Sequence, residues 1–290
     1  MVTTGEEDLD GVGRSFARIP LEADDMRTLT LIGLVLAAVA VPATRVAAAD
    51  RYPAAMGGDI VITPGLHASV QVEYRDIVVH VDPWSAADLS GLKKASLILI
   101  TDDPAHHLDL KAIAFLRRPD APVVVTKKAQ AGFPAGVVLA NGQSATVAGV
   151  RVESIAAYDL TPGAPEHPKG EASGYLIALG GRRILFAGVT ECVPEVLALK
   201  DVDVAFVPMN IPPRRMTPTA AADCVKRLHP KVVYLQHYDN GAVARITKTA
   251  ASAGWLSTTT VAESLRAFQA AMAGSGVEVR LPDWYAAAPK

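Results

Sequence analysis

The chain has 290 residues, half of them hydrophobic, and a formal net charge of −2 at pH 7. This length can bury one sizeable core and accommodates one or two domains. The near-neutral balance and the lack of Lys/Arg-rich runs argue against a nucleic-acid-binding surface, which normally has a basic excess.

The amino-terminal part of the chain has the layout of a secretory signal peptide. A charged start at residues 26–27 precedes an apolar run over residues 29–43, and small residues lie just before Asp50. This layout is typical of export signals, whereas the run is short for a membrane span. We therefore expect an upstream extension at 1–25, a signal peptide at 26–49, and a secreted or periplasmic mature chain with no stable membrane span. A buried core helix or an uncleaved anchor is the alternative.

The remainder is interpreted as a linker, residues 50–58, followed by a single domain, residues 59–290. Short apolar or alternating runs predict strands, and the Asn-Gly pair at 141–142 indicates a tight turn between two of them. Near the carboxyl end, Thr260 and a Glu three residues later predict a capping box for a helix over 261–272.

One segment concentrates side chains that bind metals in proteins. A predicted strand over residues 97–100 ends in Thr101, and Asp109 opens a predicted helix. The loop between them contains acids and imidazoles, namely Asp102, Asp103, His106 and His107. Carboxylates and neutral imidazoles suit zinc, iron or manganese, so this loop is a candidate metal site.

The same segment resembles the signature loop of the metallo-β-lactamase fold superfamily, Thr-His-x-His-x-Asp-His-x-Asp at the end of a strand. The matching positions are Thr101, His107 and Asp109. The first His of the signature is replaced by Asp102, the second His by Pro104, and the Asp by His106. The loop is recognisable, but three of its expected metal-binding positions have changed.

Further segments resemble the superfamily in the same order along residues 59–240. They are an Asp-Pro pair that begins at Asp82, a Tyr-Asp pair that ends at Asp159, a His-Pro-Lys-Gly stretch that begins at His167, a Gly-Val-Thr stretch that ends at Thr190 and a Gln-His-Tyr stretch centred on His237. This resemblance implies an α/β (α+β) fold built as a four-layer αββα sandwich.

The resemblance also implies a reduced metal site. In active relatives two metal ions share a water molecule. When the ligand positions of these relatives are carried over to this chain, the first ion would be bound at Asp102, Pro104 and Asp159. The second ion would be bound at His106, His107 and His237. Pro104 offers no donor side chain, and Val189 stands where an Asp would bridge the ions. We therefore expect at most one ion, zinc, on the three His residues, with Asp102 and Asp159 as catalytic carboxylates. The alternative is a residual loop whose imidazoles hydrogen-bond to neighbouring backbone.

Other side chains are assigned to the surroundings of this site by the resemblance. The candidate substrate-binding residues are His167, Arg214, Arg215 and Tyr238, with a solvated loop as the alternative for His167 and the two arginines. The residues placed near the site are Asp82, Asp109 and Thr190. For Asp82 the alternative role, equally favoured, is to form a turn, and for Asp109 it is to cap the amino end of a helix.

The two cysteines, Cys192 and Cys224, are interpreted as small buried thiols, with a disulfide as the alternative.

Two functions remain open at this point. The first is an exported hydrolase that cleaves an ester, lactone, lactam or phosphoester bond of a small molecule through a metal-activated water. The second is a catalytically inactive member of the same fold that binds a small ligand or a protein partner.

Overall fold

The computed structural model describes residues 49–163, 165–212, 214–248 and 260–282. The extension expected at 1–25 and all of the expected signal segment except residue 49 lie outside these described residues. Within the described part of the chain, no helix combines the length and apolar character that a membrane span requires.

Seven strands form the first sheet in chain order, β1 to β7. They are β1 (Asp50–Pro53), β2 (Asp59–Pro64), β3 (Val70–Tyr74), β4 (Ile77–Val81), β5 (Leu97–Leu99), β6 (Val123–Val125) and β7 (Val137–Val138). The first three pairings are antiparallel and the last three are parallel. Since β1 lies in the segment interpreted as a linker, the sheet begins at Asp50 and not at residue 59.

Seven further strands form a second sheet with the same sequence of pairings, three antiparallel and then three parallel. They are β8 (Ser144–Val147), β9 (Val150–Ala157), β10 (Ala172–Leu179), β11 (Arg182–Phe186), β12 (Val204–Pro208), β13 (Val232–Gln236) and β14 (Glu278–Arg280). Each half of the domain therefore contributes one mixed sheet.

Helices cover the outer faces of the two sheets. They are α1 (Leu110–Leu116), α2 (Pro194–Leu197), α3 (Pro218–Leu228), α4 (Asn240–Thr247) and α5 (Val261–Met272), and a short 3-10 turn spans Ala129–Ala131. The predicted capping box of α5 is present, since Thr260 accepts from the backbone of Glu263 and the Glu263 side chain accepts from the backbone of Thr260. The predicted αββα sandwich is confirmed.

Alternate side chains along β5 pack into two different hydrophobic clusters, one on each face of the sheet. Leu97 and Leu99 point into the core between the sheets, whereas Ile98 and Ile100 pack with Ile113 of α1 in a separate cluster. Successive residues of a strand face opposite sides, so an unbroken apolar run is expected where both faces are buried.

The chemically active side chains follow the carboxyl ends of strands from both sheets. Asp82 follows β4, Thr101 lies just beyond β5, and His237 follows β13. In α/β sheets the crevice outside the carboxyl ends of strands is where ligands bind. The fold therefore brings the two halves of the predicted site to one edge.

Candidate metal centre

Four imidazoles converge at this edge. They belong to His67, His106, His107 and His237, and one nitrogen from each ring lies within 4.8 Å of the others. Because zinc–nitrogen bonds measure about 2.0–2.1 Å, donors on one ion are at most about 4.2 Å apart. Four donors on one tetrahedral ion lie about 3.4 Å from one another, so a contraction of up to about 1.5 Å would place all four on a single ion.

His107 is held in a fixed orientation by a buried carboxylate. Its Nδ1 lies 2.8 Å from Oδ2 of Asp82. Asp82 is itself fixed by Thr101, whose backbone N–H and hydroxyl donate to the carboxylate at 2.8 and 2.5 Å. Among the described residues, Nε2 of His107 has no hydrogen-bond partner. A carboxylate that binds one ring nitrogen and leaves the other for a metal is the usual arrangement around a metal-binding His.

His237 and His67 complete the cluster from the opposite side. Their ring centroids are 3.7 Å apart, and the backbone N–H of His237 donates to the carbonyl of His67 at 3.1 Å. Both residues have left-handed φ angles, 58° and 62°. Within the described part of the chain, neither ring nitrogen of His237 has a hydrogen-bond partner. Such buried, unsatisfied polar atoms are rare and call for an explanation, and an ion is one.

His67 is the member of the cluster that sequence reasoning missed. It lies in the turn between β2 and β3, far along the chain from the His106–His107 pair. The only signal in the sequence is an imidazole in a short turn between two apolar runs. Polar residues are common in turns, so that signal alone is weak.

Burial keeps most of the cluster neutral. It lowers the pKa of His67, His106 and His237 well below the usual range, and the neighbouring imidazoles lower it further. For His107 burial also acts to lower the pKa, but the Asp82 carboxylate outweighs burial and the pKa is raised. Neutral imidazole is the form that binds a metal, so this environment favours coordination.

The two carboxylates predicted to be catalytic lie beside the cluster and contact a different partner. His167 lies between them, with Nε2 at 3.5 Å from Asp102 and Nδ1 at 3.5 Å from Asp159. Asp159 also pairs with Nη1 of Arg215 at 2.8 Å. Burial raises the pKa of Asp102 despite the opposing effect of His107 and His167. For Asp159, burial is outweighed by His167 and Arg215, and the pKa is lowered.

A cleft of about 170 Å³ opens beside the imidazoles and Asp102, whereas the predicted catalytic residue Asp159 is not among the described residues that line it. The four imidazoles line it together with Asp102, Asp103, Pro104, Lys128, Glu166, His167, Pro212, Asn240 and Val243. Arg214 and Tyr238 are not among the described residues that line it. Arg214 is exposed, and the hydroxyl of Tyr238 donates to the carbonyl of Pro282 at 3.4 Å. The positive φ of His237 ends the strand alternation, which explains why Tyr238 turns away from the cleft.

Three other predicted residues support the site without lining it. Arg215 is buried behind Asp159. Thr190 accepts from the backbone N–H of Tyr158 at 3.0 Å, which holds the strand end that carries Asp159. Asp109 is the N-cap of α1, accepting from the backbone of residues 111 and 112.

The two cysteines form a disulfide, so their interpretation as free thiols was wrong. Their Cα atoms are 5.5 Å apart, a separation that a disulfide spans without strain. The bond joins the segment that follows β11 to α3. That segment also carries Glu191, whose carboxylate lies 3.8 Å from Nε of Arg215.

The sequence model of the β-lactamase superfamily domain matches residues 62–237. The chain belongs to this family. A predicted metal-dependent hydrolase of Parabacteroides distasonis is 31% identical, with a TM-score of 0.69 over 82% of this chain and 99% of that one. No curated protein sequence matches the chain.

More distant structures share the fold. The metallo hydrolase Igni18 of Ignicoccus hospitalis is 20% identical, with a TM-score of 0.57 over 77% of this chain and 94% of that one. The diiron β-hydroxylase CmlA of Streptomyces venezuelae is 16% identical, with a TM-score of 0.57 over 77% of this chain and 52% of that one. At these identities the likeness shows a shared fold alone, because one fold can host many functions.

As a member of the β-lactamase superfamily, the chain departs from the two-ion pattern at three places. Val189 is buried in the hydrophobic core, and Pro104 contributes only a backbone carbonyl that accepts from the N–H of His107. Asp159 is engaged by Arg215 and His167. In the part of the chain that the structure describes, the four-His cluster is the one group suited to a metal. The donor set therefore fits one ion and does not fit two.

Proposed function

We propose that this chain is a metal-dependent hydrolase that works with a single metal ion. The observation that carries the proposal is the four-His cluster, in which Asp82 orients His107 from behind. His106, His107 and His237 would bind the ion, with His67 as a fourth donor. When bound, the ion would supply Lewis-acid catalysis and lower the pKa of water toward neutrality.

Zinc is the ion we propose, and the number of imidazoles restricts how it would be used. Catalytic zinc sites keep one position open, and zinc can expand from four to five ligands. Four imidazoles would leave no open position on a tetrahedral ion. With all four imidazoles bound, the ion would need one further position for water, which zinc, iron or manganese could supply.

The cleft supports a small-molecule substrate. Its volume of about 170 Å³ is small, and Pro212 and Val243 give it an apolar side next to charged groups. Apolar walls with a few polar groups that fix orientation are typical of small-molecule sites. We propose an ester, lactone, lactam or phosphoester as the scissile bond, with no nucleic acid as partner.

Export to an oxidising compartment is part of the proposal. The signal-like layout of residues 26–49 supports it, and so does the disulfide between Cys192 and Cys224, because disulfides are rare in reducing compartments. Amino-terminal sequencing of exported protein tests this point. We expect a mature terminus near Asp50, and a terminus at residue 2 would contradict export with cleavage.

The second function, an inactive relative that binds a small ligand, is supported by the loss of donors at Pro104 and Val189. A hydrolysis screen separates the two functions. Metal-reconstituted protein is assayed on esters, lactones, lactams and phosphodiesters, with the His107→Ala/His237→Ala double variant as control. Hydrolysis that depends on added metal and disappears in the double variant supports the hydrolase. Binding without turnover by the metal-loaded protein would support the inactive relative.

A further inference from the structure

The loop that joins β9 to β10 carries both Asp159 and His167, and hydrogen bonds tie these two residues to each other. The N–H of His167 donates to Oδ2 of Asp159 at 2.9 Å, and the N–H of Asp159 donates to the carbonyl of His167 at 3.0 Å. His167 lines the cleft beside the four imidazoles. The position of Asp159 therefore determines where this wall of the cleft lies.

Glu191 holds the start of this loop with one carboxylate. Its Oε2 accepts from the backbone N–H groups of Leu160 and Thr161 at 2.5 and 2.6 Å, and its Oε1 accepts from the hydroxyl of Thr161 at 2.6 Å. The N–H of Glu191 donates to the carbonyl of Tyr158 at 3.1 Å. Hydrogen bonds that a carboxylate accepts are stronger than those between neutral groups. Glu191 thus fixes the chain on both sides of Asp159.

The segment that carries Glu191 holds the loop at a second place. Oε1 of Glu195 lies 2.6 Å from Nζ of Lys169, and its Oε2 accepts from the hydroxyl of Tyr158 at 3.0 Å. The side chain of Glu195 is 33% exposed and that of Lys169 is 60% exposed, whereas that of Glu191 is 15% exposed. Because exposed ion pairs contribute little, Glu191 makes the stronger of the two contacts.

The disulfide fixes the position of Glu191 relative to the other group that holds Asp159. Cys192, the next residue in the chain, is bonded to Cys224 of α3. Arg215 precedes α3, and its guanidinium lies 2.8 Å from Asp159 through Nη1 and 3.8 Å from Glu191 through Nε. The crosslink therefore joins the two stretches of chain whose side chains hold the start of the loop.

We propose that Glu191 is a positioning residue, which holds the loop so that His167 forms a wall of the cleft and contacts the substrate. This inference rests on the proposed hydrolase function and adds a determinant of substrate affinity to it. Glu191 is neither among the described residues that line the cleft nor a member of the four-His cluster. Its replacement should therefore weaken substrate binding and leave the affinity for metal unchanged.

Three substitutions separate the reach of Glu191 from its charge. Glu191→Gln keeps the length of the side chain and an oxygen acceptor, Glu191→Asp keeps the charge but is one methylene shorter, and Glu191→Ala keeps neither. Zinc-loaded proteins are compared in hydrolysis of 4-nitrophenyl acetate and in dye competition for zinc. Glu278→Ala is the matched control, since Glu278 pairs with Arg280 at 2.7 Å in β14 and is not among the described residues that line the cleft.

The expected result is a change in KM alone. In Glu191→Ala and Glu191→Asp, KM should rise about 10-fold or more with kcat and zinc affinity nearly unchanged, as for a contact made equally in ground state and transition state. In Glu191→Gln and in the control, KM should stay within about 3-fold of the wild-type value.

Hydrogen exchange measures the hold on the loop without any assay of activity. The amide protons of Leu160 and Thr161 donate to Glu191 in the wild type. We expect them to exchange about 10-fold faster or more in Glu191→Ala, while amide protons within β12 keep their wild-type rates, because the opening is local. Glu278→Ala should follow the wild type at both places.

Wild-type KM and wild-type exchange in Glu191→Ala and Glu191→Asp would overturn the proposal. So would a loss in Glu191→Gln that Glu191→Asp does not share, because charge and not reach would then be decisive. Reduced zinc affinity in Glu191→Ala would also overturn it, in favour of a general structural role. A wild type that binds one ion and hydrolyses no ester would contradict the proposed function. Faster exchange in Glu191→Ala would still show the hold on the loop, so the two failures give different results.

Discussion

Asp82 and His107 form a pair at the base of the cleft in which Oδ2 lies 2.8 Å from Nδ1 and each side chain is 1% exposed. The pair joins the end of β4 to the loop after β5, two strands that run parallel. It directs one ring nitrogen of His107 toward the carboxylate and leaves the other for an ion. This contact links the fold of the sheet to the chemistry of the site.

Replacement of Asp82 by Asn should weaken metal binding. The amide keeps the shape of the side chain but removes the charge that supports His107. Loss of such a hydrogen-bonded partner of a metal-binding His typically costs about 10–100-fold in metal affinity. Competition with a chelating dye measures the affinity. Asp109→Asn is the matched control, because Asp109 caps α1 nearby and Asn also caps helices well. Equal affinities in wild type and Asp82→Asn would contradict the role given to this carboxylate.

His67→Ala should weaken metal binding more than Asp82→Asn does, by more than about 100-fold, because it removes a donor and not a supporting group. The exposed His229 provides the control variant, His229→Ala. Both proteins are titrated with zinc in the same dye competition. Retention of wild-type affinity in His67→Ala would show that three imidazoles are sufficient and that His67 is a neighbour of the ion only.

The disulfide should contribute substantially to stability. It closes a segment with a sequence separation of 32 residues, for which the chain-entropy relation gives about 3–4 kcal/mol. We expect Cys192→Ala/Cys224→Ala to lower the free energy of unfolding in urea by about this amount. Reduced wild type should unfold like the variant. Two titratable thiols in oxidised native protein would contradict the disulfide itself.

Acid sensitivity of folding should depend on His80. Burial lowers the pKa of His80 to about 4. The hydrogen bond between Nε2 of His80 and the carbonyl of Lys93 and the charge of Glu73 act in the opposite direction but do not outweigh burial. The unfolded chain therefore takes up a proton near pH 6.5 that the folded protein resists until about pH 4. Stability from this residue is present above pH 6.5 and is lost as the pH falls through that window, by up to about 3 kcal/mol.

The His80→Gln variant tests this prediction, since Gln can still donate to the carbonyl of Lys93 and does not titrate. Urea unfolding of metal-free wild type and variant is compared at several values between pH 7 and pH 4. The difference in unfolding free energy between the two proteins should shift in favour of the variant as the pH falls. Parallel curves would contradict the assignment.

Much of the fold could be predicted because its signals are local. The unbroken apolar run of β5 fits a strand buried on both faces, and Thr260 with Glu263 defined the start of α5. The strand β1 was not predicted, because Asp50–Pro53 is short and polar and is stabilised mainly by pairing with β2. Pairing partners distant in the chain leave little trace in such a segment.

The metal-binding half of the site could be predicted in part. His106 and His107 belong to one loop with a recognisable pattern, and His237 ends a strand, so the resemblance to the superfamily implied that the three would converge. The contribution of His67 and the contacts of Asp159 with Arg215 depend on loops that meet only in three dimensions. The spacing of residues along the chain does not indicate which loops come into contact. Backbone turns at positive φ also change the direction of the side chains.

Elemental analysis of protein purified without chelators counts the ions that the four-His cluster holds. The wild type is compared with the His107→Ala/His237→Ala double variant, both before and after incubation with zinc, iron or manganese salts and removal of excess ion. We expect one ion per wild-type chain and none in the double variant, because a single four-His cluster is the donor set. Two ions per chain, or no ion in the reconstituted wild type, would contradict a single-ion site.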